Sequence, residues 1–148
     1  DYYSVPQINE VFGIDTVTYV EEALKTLQDT VTPSKIIFVS DDLQWCEENL
    51  SHLSSVAPCI FEKQGSGMFD DLALVASAPY LILTNTTFGY WGAYIGELLG
   101  QKIVLSPDIH QLISTDARVY QERPQMHRAR WVPISHPEKK NWISGESQ

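Results

Sequence analysis

The chain has 148 residues, enough for one domain with a buried core, and 43% of them are hydrophobic, as is typical of a folded protein. Its formal net charge of −9 argues against a general nucleic-acid or anionic-membrane binder, and no apolar run is long enough to span a bilayer. The chain begins at Asp1 rather than at a methionine and carries no signal peptide, so we expect it to be part of a longer protein.

Apolar runs that predict strands alternate along the chain with stretches of helical periodicity. The first helix is predicted within residues 14–30, where Asp15 is a candidate cap and apolar side chains recur at helical spacing. The β-branched run at residues 34–40 is typical of a strand buried on both faces. Further helices are predicted in residues 41–53, 68–78 and 87–100, and further strands in residues 56–62, 80–84 and 102–106.

This order predicts an α/β fold with a doubly wound, Rossmann-like parallel sheet. We expect the runs at residues 35–39, 80–84 and 102–105 to form adjacent parallel strands. The periodicity weakens after residue 106, and the remaining segment contains most of the basic residues. We therefore divide the single domain, residues 1–148, into three parts. These are a first helix region (1–34), a core (35–106) and a C-terminal tail (107–148) that packs on the sheet as a short helix and an extended segment.

Polar side chains follow two of the predicted strands at the point where a helix begins. Asp41 and Asp42 follow one strand, and Asn85, Thr86 and Thr87 follow another. Doubly wound sheets bind ligands beyond the carboxyl ends of their strands. A helix N-terminus with hydroxyl side chains suits a phosphate, and carboxylates accept hydrogen bonds from a base or a ribose. The core is therefore a predicted nucleotide-binding core, although it lacks the glycine-rich fingerprint of dinucleotide and P-loop sites.

The same residues also suit a purely structural role. Thr86 and one of Asp41 and Asp42 are residue types that routinely fill the N-cap of a helix, so an interpretation as caps alone stays open. Asn85 and Asn49 also begin glycosylation sequons. A glycan on Asn85 would occupy the predicted pocket, so we expect that sequon to be unused if the pocket exists.

Three segments together resemble a known family. They are "IIFVSDDLQWCEENL", "FDDLALVASAPYLILTNTTFGYWGAYIG" and "KIVLSP". In order and spacing they resemble the C-terminal half of the α-1,2-fucosyltransferases, glycosyltransferase family 11. Members carry a strand that ends in Ser-Asp-Asp or similar before a Trp-Cys helix, and later an Asn-Ser/Thr-Ser/Thr-Phe block before a helix. The resemblance covers residues 36–107.

The resemblance implies a GT-B-like fold whose C-terminal Rossmann-type half binds GDP-fucose. It also implies a galactoside 2-alpha-L-fucosyltransferase, which transfers L-fucose to the 2-hydroxyl of a terminal galactose on a glycan, with inversion and without a metal or another cofactor. By the resemblance the two aspartates serve the guanosine, the threonines serve the phosphates, and Phe88 and Trp91 pack the pocket, although these aromatics also suit the core. Asp70 and Asp71 are more typical of a cap. The implied nucleotide-sugar-binding residues are Asp41, Asp42, Asn85, Thr86, Thr87 and Phe88.

The best-known element of the family is a His-x-Arg-Arg-Gly-Asp-Tyr segment whose arginine holds the donor phosphate. Asp1 and Tyr2 resemble its last two residues, so we expect the arginines to lie upstream and the 148-residue chain alone to be inactive. The catalytic residues are unknown. Asp1 and Glu10 are candidate carboxylates for deprotonating the acceptor hydroxyl, but no spacing supports either.

Two other functions stay open at this stage. The chain is alternatively a non-catalytic nucleotide-binding domain of flavodoxin-like design, or a glycan-binding module that binds acceptor without turnover. Family resemblance places animal members in the Golgi membrane, on the lumenal side, and bacterial members in the cytoplasm. Two sequons favour the former, with any membrane anchor outside this segment. Cys46 and Cys59 form either one disulfide or none.

Overall fold

The helices and strands follow one another in the predicted alternation. The computed structural model describes residues 5–6, 13–63, 65–100, 103–108 and 128–135. None of the helices in these ranges is both long and apolar enough to cross a membrane. The helices are α1 (Thr16–Gln28), α2 (Leu43–Leu50), α3 (Met68–Ser77) and α4 (Thr87–Leu98), with a 3-10 helix at Ser51–Ser55. The strands are β1 (Ile36–Ile37), β2 (Cys59–Ile60), β3 (Tyr80–Ile82), β4 (Ile103–Pro107) and β5 (Val132–Ile134).

Acidic side chains stabilise the N-termini of the first three helices by accepting hydrogen bonds from main-chain amides. The Asp15 carboxylate accepts from the Thr18 N–H at 3.1 Å and so caps α1, as the sequence predicts. Helix α3 has Gly67 at its N-cap, and Asp70 reaches back from the first turn to accept from the Ser66 N–H at 2.8 Å. These hydrogen bonds lower the pKa of Asp70. Asp70 therefore stabilises the start of α3 from its first turn, while Gly67 occupies the N-cap position.

All of the strand pairs are parallel, which confirms the α/β character, but the strands divide into two sheets. β1 pairs with β2, and β3, β4 and β5 form a second sheet in that order. The expected adjacency is correct for β3 and β4 and wrong for β1, whose hydrogen-bonding partner is the short strand at Cys59–Ile60. The GT-B-like half stays a prediction.

Strand β5 was not expected from the sequence. The tail was predicted to pack over the sheet, whereas Val132–Ile134 extend the sheet beside β4. This strand contains Pro133, and both Val132 and Pro133 are exposed, as is compatible with an edge strand. Residues 109–127 and 136–148 of the tail lie outside the described residues.

Helix α1 joins the two sheets through a shared core. Tyr19, Ala23 and Leu27 pack with Leu105 and Ile134 of the three-stranded sheet. Leu24, on another face of the same helix, packs in a second cluster that also includes residues from β1 and β2. Val20 and Ile82 contact both clusters, so the two sheets share one apolar interior beneath α1.

The two cysteines are free thiols, so the alternative of no disulfide is correct. Burial raises the pKa of both Cys46 and Cys59. A raised pKa keeps a thiol protonated, and protonated thiols are poor nucleophiles.

Helices α3 and α4 approach closely at Gly92. A Cβ atom at Gly92 would lie 2.5 Å from Cγ1 of Val75, a distance at which one of the two must shift. Both residues are buried, so the contact has little room to relax. The close approach fixes α4 against α3, and with it the N-terminus of α4.

We expect Gly92→Ala to destabilise the fold. Overpacking of a core costs about 1–3 kcal/mol, and the better helix propensity of alanine returns only about 1 kcal/mol. The free energy of unfolding, measured by urea titration, should therefore fall by up to about 2 kcal/mol. In the double variant Gly92→Ala/Val75→Ala the clash is absent, so the two changes should cost less together than the sum of the single changes. Additive costs would contradict the contact.

Candidate functional site

A cleft opens where β3 and β4 end and α4 begins. It encloses about 240 Å³, part of which is open to solvent. Among the residues that the structure describes, its walls carry no charged side chain, so an anion entering it would meet no carboxylate there. The lining residues are Leu83, Thr84, Asn85, Thr86, Tyr90, Ser106, Pro107 and Trp131.

Two buried polar side chains lie in the cleft, one at each strand end. Asn85 is 4% exposed and Ser106 is 2% exposed. Asn85 follows β3, and Ser106 is the fourth residue of β4. Both lie at the carboxyl edge of the parallel sheet, where ligands bind in doubly wound folds.

Thr86 caps helix α4 at the mouth of the cleft. Its Oγ1 accepts a hydrogen bond from the Gly89 N–H at 3.1 Å, and its carbonyl accepts from the Tyr90 N–H at 3.1 Å. The first amides of a helix have no intrahelical acceptor. The Thr87 and Phe88 amides therefore remain at the positive end of the α4 dipole, where negative charge is favoured. The cap interpretation of Thr86 is confirmed, and its contact with a phosphate stays a prediction.

Tyr90 and Trp131 form the aromatic wall of the cleft, with their ring centroids 5.4 Å apart in an edge-on arrangement. The position of Trp131 depends on the turn before β5, where the main-chain N–H of Trp131 donates to the Arg128 carbonyl at 2.9 Å. Arg128 in turn donates to both carboxylate oxygens of Glu97, at 2.7 and 3.3 Å, and lies over the Tyr94 ring. Hydrogen bonding by Arg128 lowers the pKa of Glu97, and the carboxylate raises the pKa of Arg128. This network joins the turn to α4.

Tyr19 hydrogen-bonds to the strand end that lines the cleft. Its side chain is fully buried on α1, and its hydroxyl donates to the Leu83 carbonyl at 2.5 Å. The Leu105 carbonyl is 3.5 Å from the same hydroxyl. Burial, and secondarily the charge of Asp108, raises the pKa of Tyr19. The phenol therefore stays protonated, as a hydrogen-bond donor must.

The predicted site residues are only partly brought together. Asn85 and Thr86 line the cleft, whereas Thr87 is exposed beside it and Phe88 is half-buried outside its walls. Trp91 is 56% exposed and does not line the cleft, and its role in packing the pocket stays a prediction.

The two aspartates lie at the other sheet. Asp41 and Asp42 are exposed after β1 and do not line the cleft, and Asp42 caps α2 by accepting from the Trp45 N–H at 2.9 Å. The cap interpretation of Asp42 is confirmed, and its contact with a nucleoside stays a prediction. Asp1 and Glu10, the candidate bases, lie outside the described residues.

Sequence reasoning did not select four residues of this region: Tyr19, Tyr90, Ser106 and Trp131. A signal existed for Ser106, because it ends an apolar run as Asn85 does, and the same rule would have found it. Tyr19 fits the apolar stripe of a helix, so its hydrogen bond is not visible in the sequence. Trp131 is separated from α4 by 32 residues and reaches the cleft only because β5 joins the sheet.

The sequence model of Glycosyl transferase family 11 matches residues 1–134. The chain belongs to this family. Two similar proteins from Escherichia coli are an alpha-1,2-colitosyltransferase and the O-antigen biosynthesis glycosyltransferase WbnK. Each is 26% identical to this chain over 72% of its length, which corresponds to 37% and 35% of the two relatives.

A mammalian relative is the galactoside alpha-(1,2)-fucosyltransferase 2 of Oryctolagus cuniculus, which is 27% identical over 76% of this chain and 34% of its own length. The chain therefore spans about a third of the length of each of these three relatives. No solved structure matches the chain. Within the described ranges, no group of three or more potential metal ligands comes together. The expected independence from metal ions and cofactors stays a prediction.

We expect the burial of Tyr19 to make the fold sensitive to alkaline pH. In the unfolded chain a tyrosine ionises near pH 10, while the folded pKa is higher. The stabilising effect is therefore complete below about pH 10 and is lost as pH rises further, by about 1.4 kcal/mol per pH unit. Urea titrations between pH 9 and about 11.5 should show a shallower decline for Tyr19→Phe, which has no ionisable hydroxyl. Parallel declines for the two proteins would contradict this.

Proposed function

We propose that this chain supplies the donor-binding part of an α-1,2-fucosyltransferase and holds GDP-fucose at the cleft between β3 and β4. The proposal rests on one combination of observations. The family model matches residues 1–134, and an uncharged, concave strand edge lies at the N-terminus of α4. The proposed donor contacts are Asn85, Thr86 and Thr87, with Phe88 beside them.

Charge at the cleft is compatible with a diphosphate despite the acidic chain. The formal net charge is −9, which repels anions at long range. At short range the amides of Thr87 and Phe88 and the α4 dipole favour negative charge. At typical ionic strength, long-range repulsion is screened within about 10 Å, so the local groups decide the contact.

The N-terminus of α4 suits one part of a nucleotide sugar, the diphosphate. The nucleoside is then proposed to extend toward Asp41 and Asp42, each of which offers carboxylate oxygens to base and ribose donors.

The names of the relatives support the 1,2 linkage more strongly than they support the identity of the transferred sugar. One acts as an alpha-1,2-colitosyltransferase and another as an alpha-(1,2)-fucosyltransferase, so the 1,2 linkage is common to both while the transferred sugar differs. We take fucose as the sugar and a terminal galactose as the acceptor because the galactoside fucosyltransferases recur among the relatives.

The proposed reaction is an inverting displacement. The 2-hydroxyl oxygen of the acceptor forms a bond to the anomeric carbon of fucose, the bond from that carbon to the phosphate oxygen breaks, and GDP leaves with the electron pair. The acceptor proton passes to a carboxylate base that is not identified. Groups that hold the diphosphate favour this step because negative charge grows on the leaving phosphate. A Golgi or bacterial cytoplasmic location stays a prediction.

We expect Thr86→Ala and Thr87→Ala to weaken GDP binding by roughly ten- to hundredfold, because each removes a hydroxyl from a charge-assisted contact of about 1.5–3 kcal/mol. Isothermal titration calorimetry of GDP against the purified chain measures the affinity, and differential scanning calorimetry measures the melting temperature. The matched control is Asp70→Ala, which removes the carboxylate that accepts from the Ser66 N–H at the start of α3, outside the cleft. It should lower the melting temperature and leave GDP affinity unchanged.

The two measurements separate a phosphate site from a cap. If both threonine variants melt lower yet bind GDP as tightly as the parent chain, the threonines act as caps alone and the proposed site is wrong. Asp42→Ala tests the nucleoside contact in the same assay and should weaken GDP more than inorganic pyrophosphate. Equal binding of GDP, ADP and UDP by the parent chain would instead favour a general nucleotide-binding domain.

A further inference from the structure

The hydrogen bonds between β3 and β4 follow the regular alternation of a parallel ladder. The Ile103 N–H donates to the Pro79 carbonyl at 3.3 Å, and the Leu83 N–H donates to the Leu105 carbonyl at 2.8 Å. In a parallel pair each strand contributes a donor at every second residue. The next bond in this register would run from the main-chain nitrogen of residue 107 to the Leu83 carbonyl.

Residue 107 is a proline and has no N–H to donate. The neighbouring amide does not replace it, because the Asp108 N–H points to the other side of β4 and donates to the Ile134 carbonyl at 3.1 Å. The ladder therefore stops at the point where the cleft begins, and Leu83 and Pro107 both line the cleft. The Leu83 carbonyl needs a donor from elsewhere, since an unsatisfied buried carbonyl is costly.

The Tyr19 hydroxyl is that donor, at 2.5 Å from the Leu83 carbonyl. We infer that Tyr19 is a positioning residue for the binding segment: it replaces the ladder bond that Pro107 removes and holds the end of β3 in place. Leu83 is two residues before Asn85 and three before Thr86. The ladder thus ends at Pro107, and Tyr19 holds the strand end that leads to the binding segment. The consequence for ligand affinity rests on the proposed function.

The chain offers a matched rescue. Tyr19→Phe removes the hydroxyl and keeps the ring in the core. Pro107→Ala restores a main-chain N–H that faces the Leu83 carbonyl in the existing register. The double variant Tyr19→Phe/Pro107→Ala therefore regains a donor for this carbonyl by a different route, and Pro107→Ala alone controls for loss of the proline ring.

The first readout needs no ligand. Amide hydrogen exchange, followed by NMR on the 148-residue chain, compares Gly89, whose N–H is bound by the Thr86 side chain, with Trp45, whose N–H is bound by Asp42 at a separate helix. We expect Tyr19→Phe to lower the protection of Gly89 roughly tenfold relative to Trp45, and the double variant to recover most of it. An equal loss at both amides would mean general destabilisation and would overturn the positioning role.

The second readout is GDP affinity by calorimetry. We expect roughly tenfold weaker binding by Tyr19→Phe and recovery in the double variant. Unchanged affinity in Tyr19→Phe, or no recovery of Gly89 protection in the double variant, would overturn the inference. If the parent chain does not bind GDP, the proposed function fails, while the exchange comparison still decides the role of Tyr19.

Discussion

In the β3–β4 ladder, the main-chain nitrogen that should donate to the buried Leu83 carbonyl belongs to Pro107, which has no N–H. The rest of the site depends on which group donates to that carbonyl instead. A tyrosine from α1 donates to it, so the first helix, β3 and β4 are held in one arrangement. The strand end can then leave the sheet without leaving a buried polar group unpaired. The cleft, its buried polar side chains and the start of α4 all follow this point in the chain.

Two further contacts keep the cleft in shape. The close approach of Gly92 to Val75 sets α4 against α3, and the Arg128 bond to Glu97 ties the turn before β5 to α4. The first is a packing constraint and the second is electrostatic, so they respond to different conditions. Together they place an uncharged aromatic and hydroxyl surface around the N-terminus of a helix. Such a surface suits the phosphates of a nucleotide sugar, in a chain that belongs to a glycosyltransferase family.

The order of elements and the helix caps were predictable because they depend on residues that lie close together in the sequence. Alternating β-branched runs and helical stripes predict the order of elements. Small polar residues just before the helical stripes predict caps at Asp15, at Thr86 and at one of Asp41 and Asp42. The family resemblance, carried by the order of three segments, is confirmed. Predictions were wrong where two distant strands had to be paired. β1 hydrogen-bonds to β2 instead of β3, because two short apolar runs do not encode which neighbour each will choose.

The sequence by itself determined the order of the four helices and of strands β1 to β4, the family, and the two polar residues, Asn85 and Thr86, that line the cleft. Only the tertiary structure decided that Tyr19 reaches a carbonyl 64 residues away, and that Ser106 and Trp131 line the same cleft as Asn85. The physical reason is register. Which carbonyl lacks a ladder donor depends on the pairing of β3 with β4, and the replacement donor comes from α1, which packs against both strands.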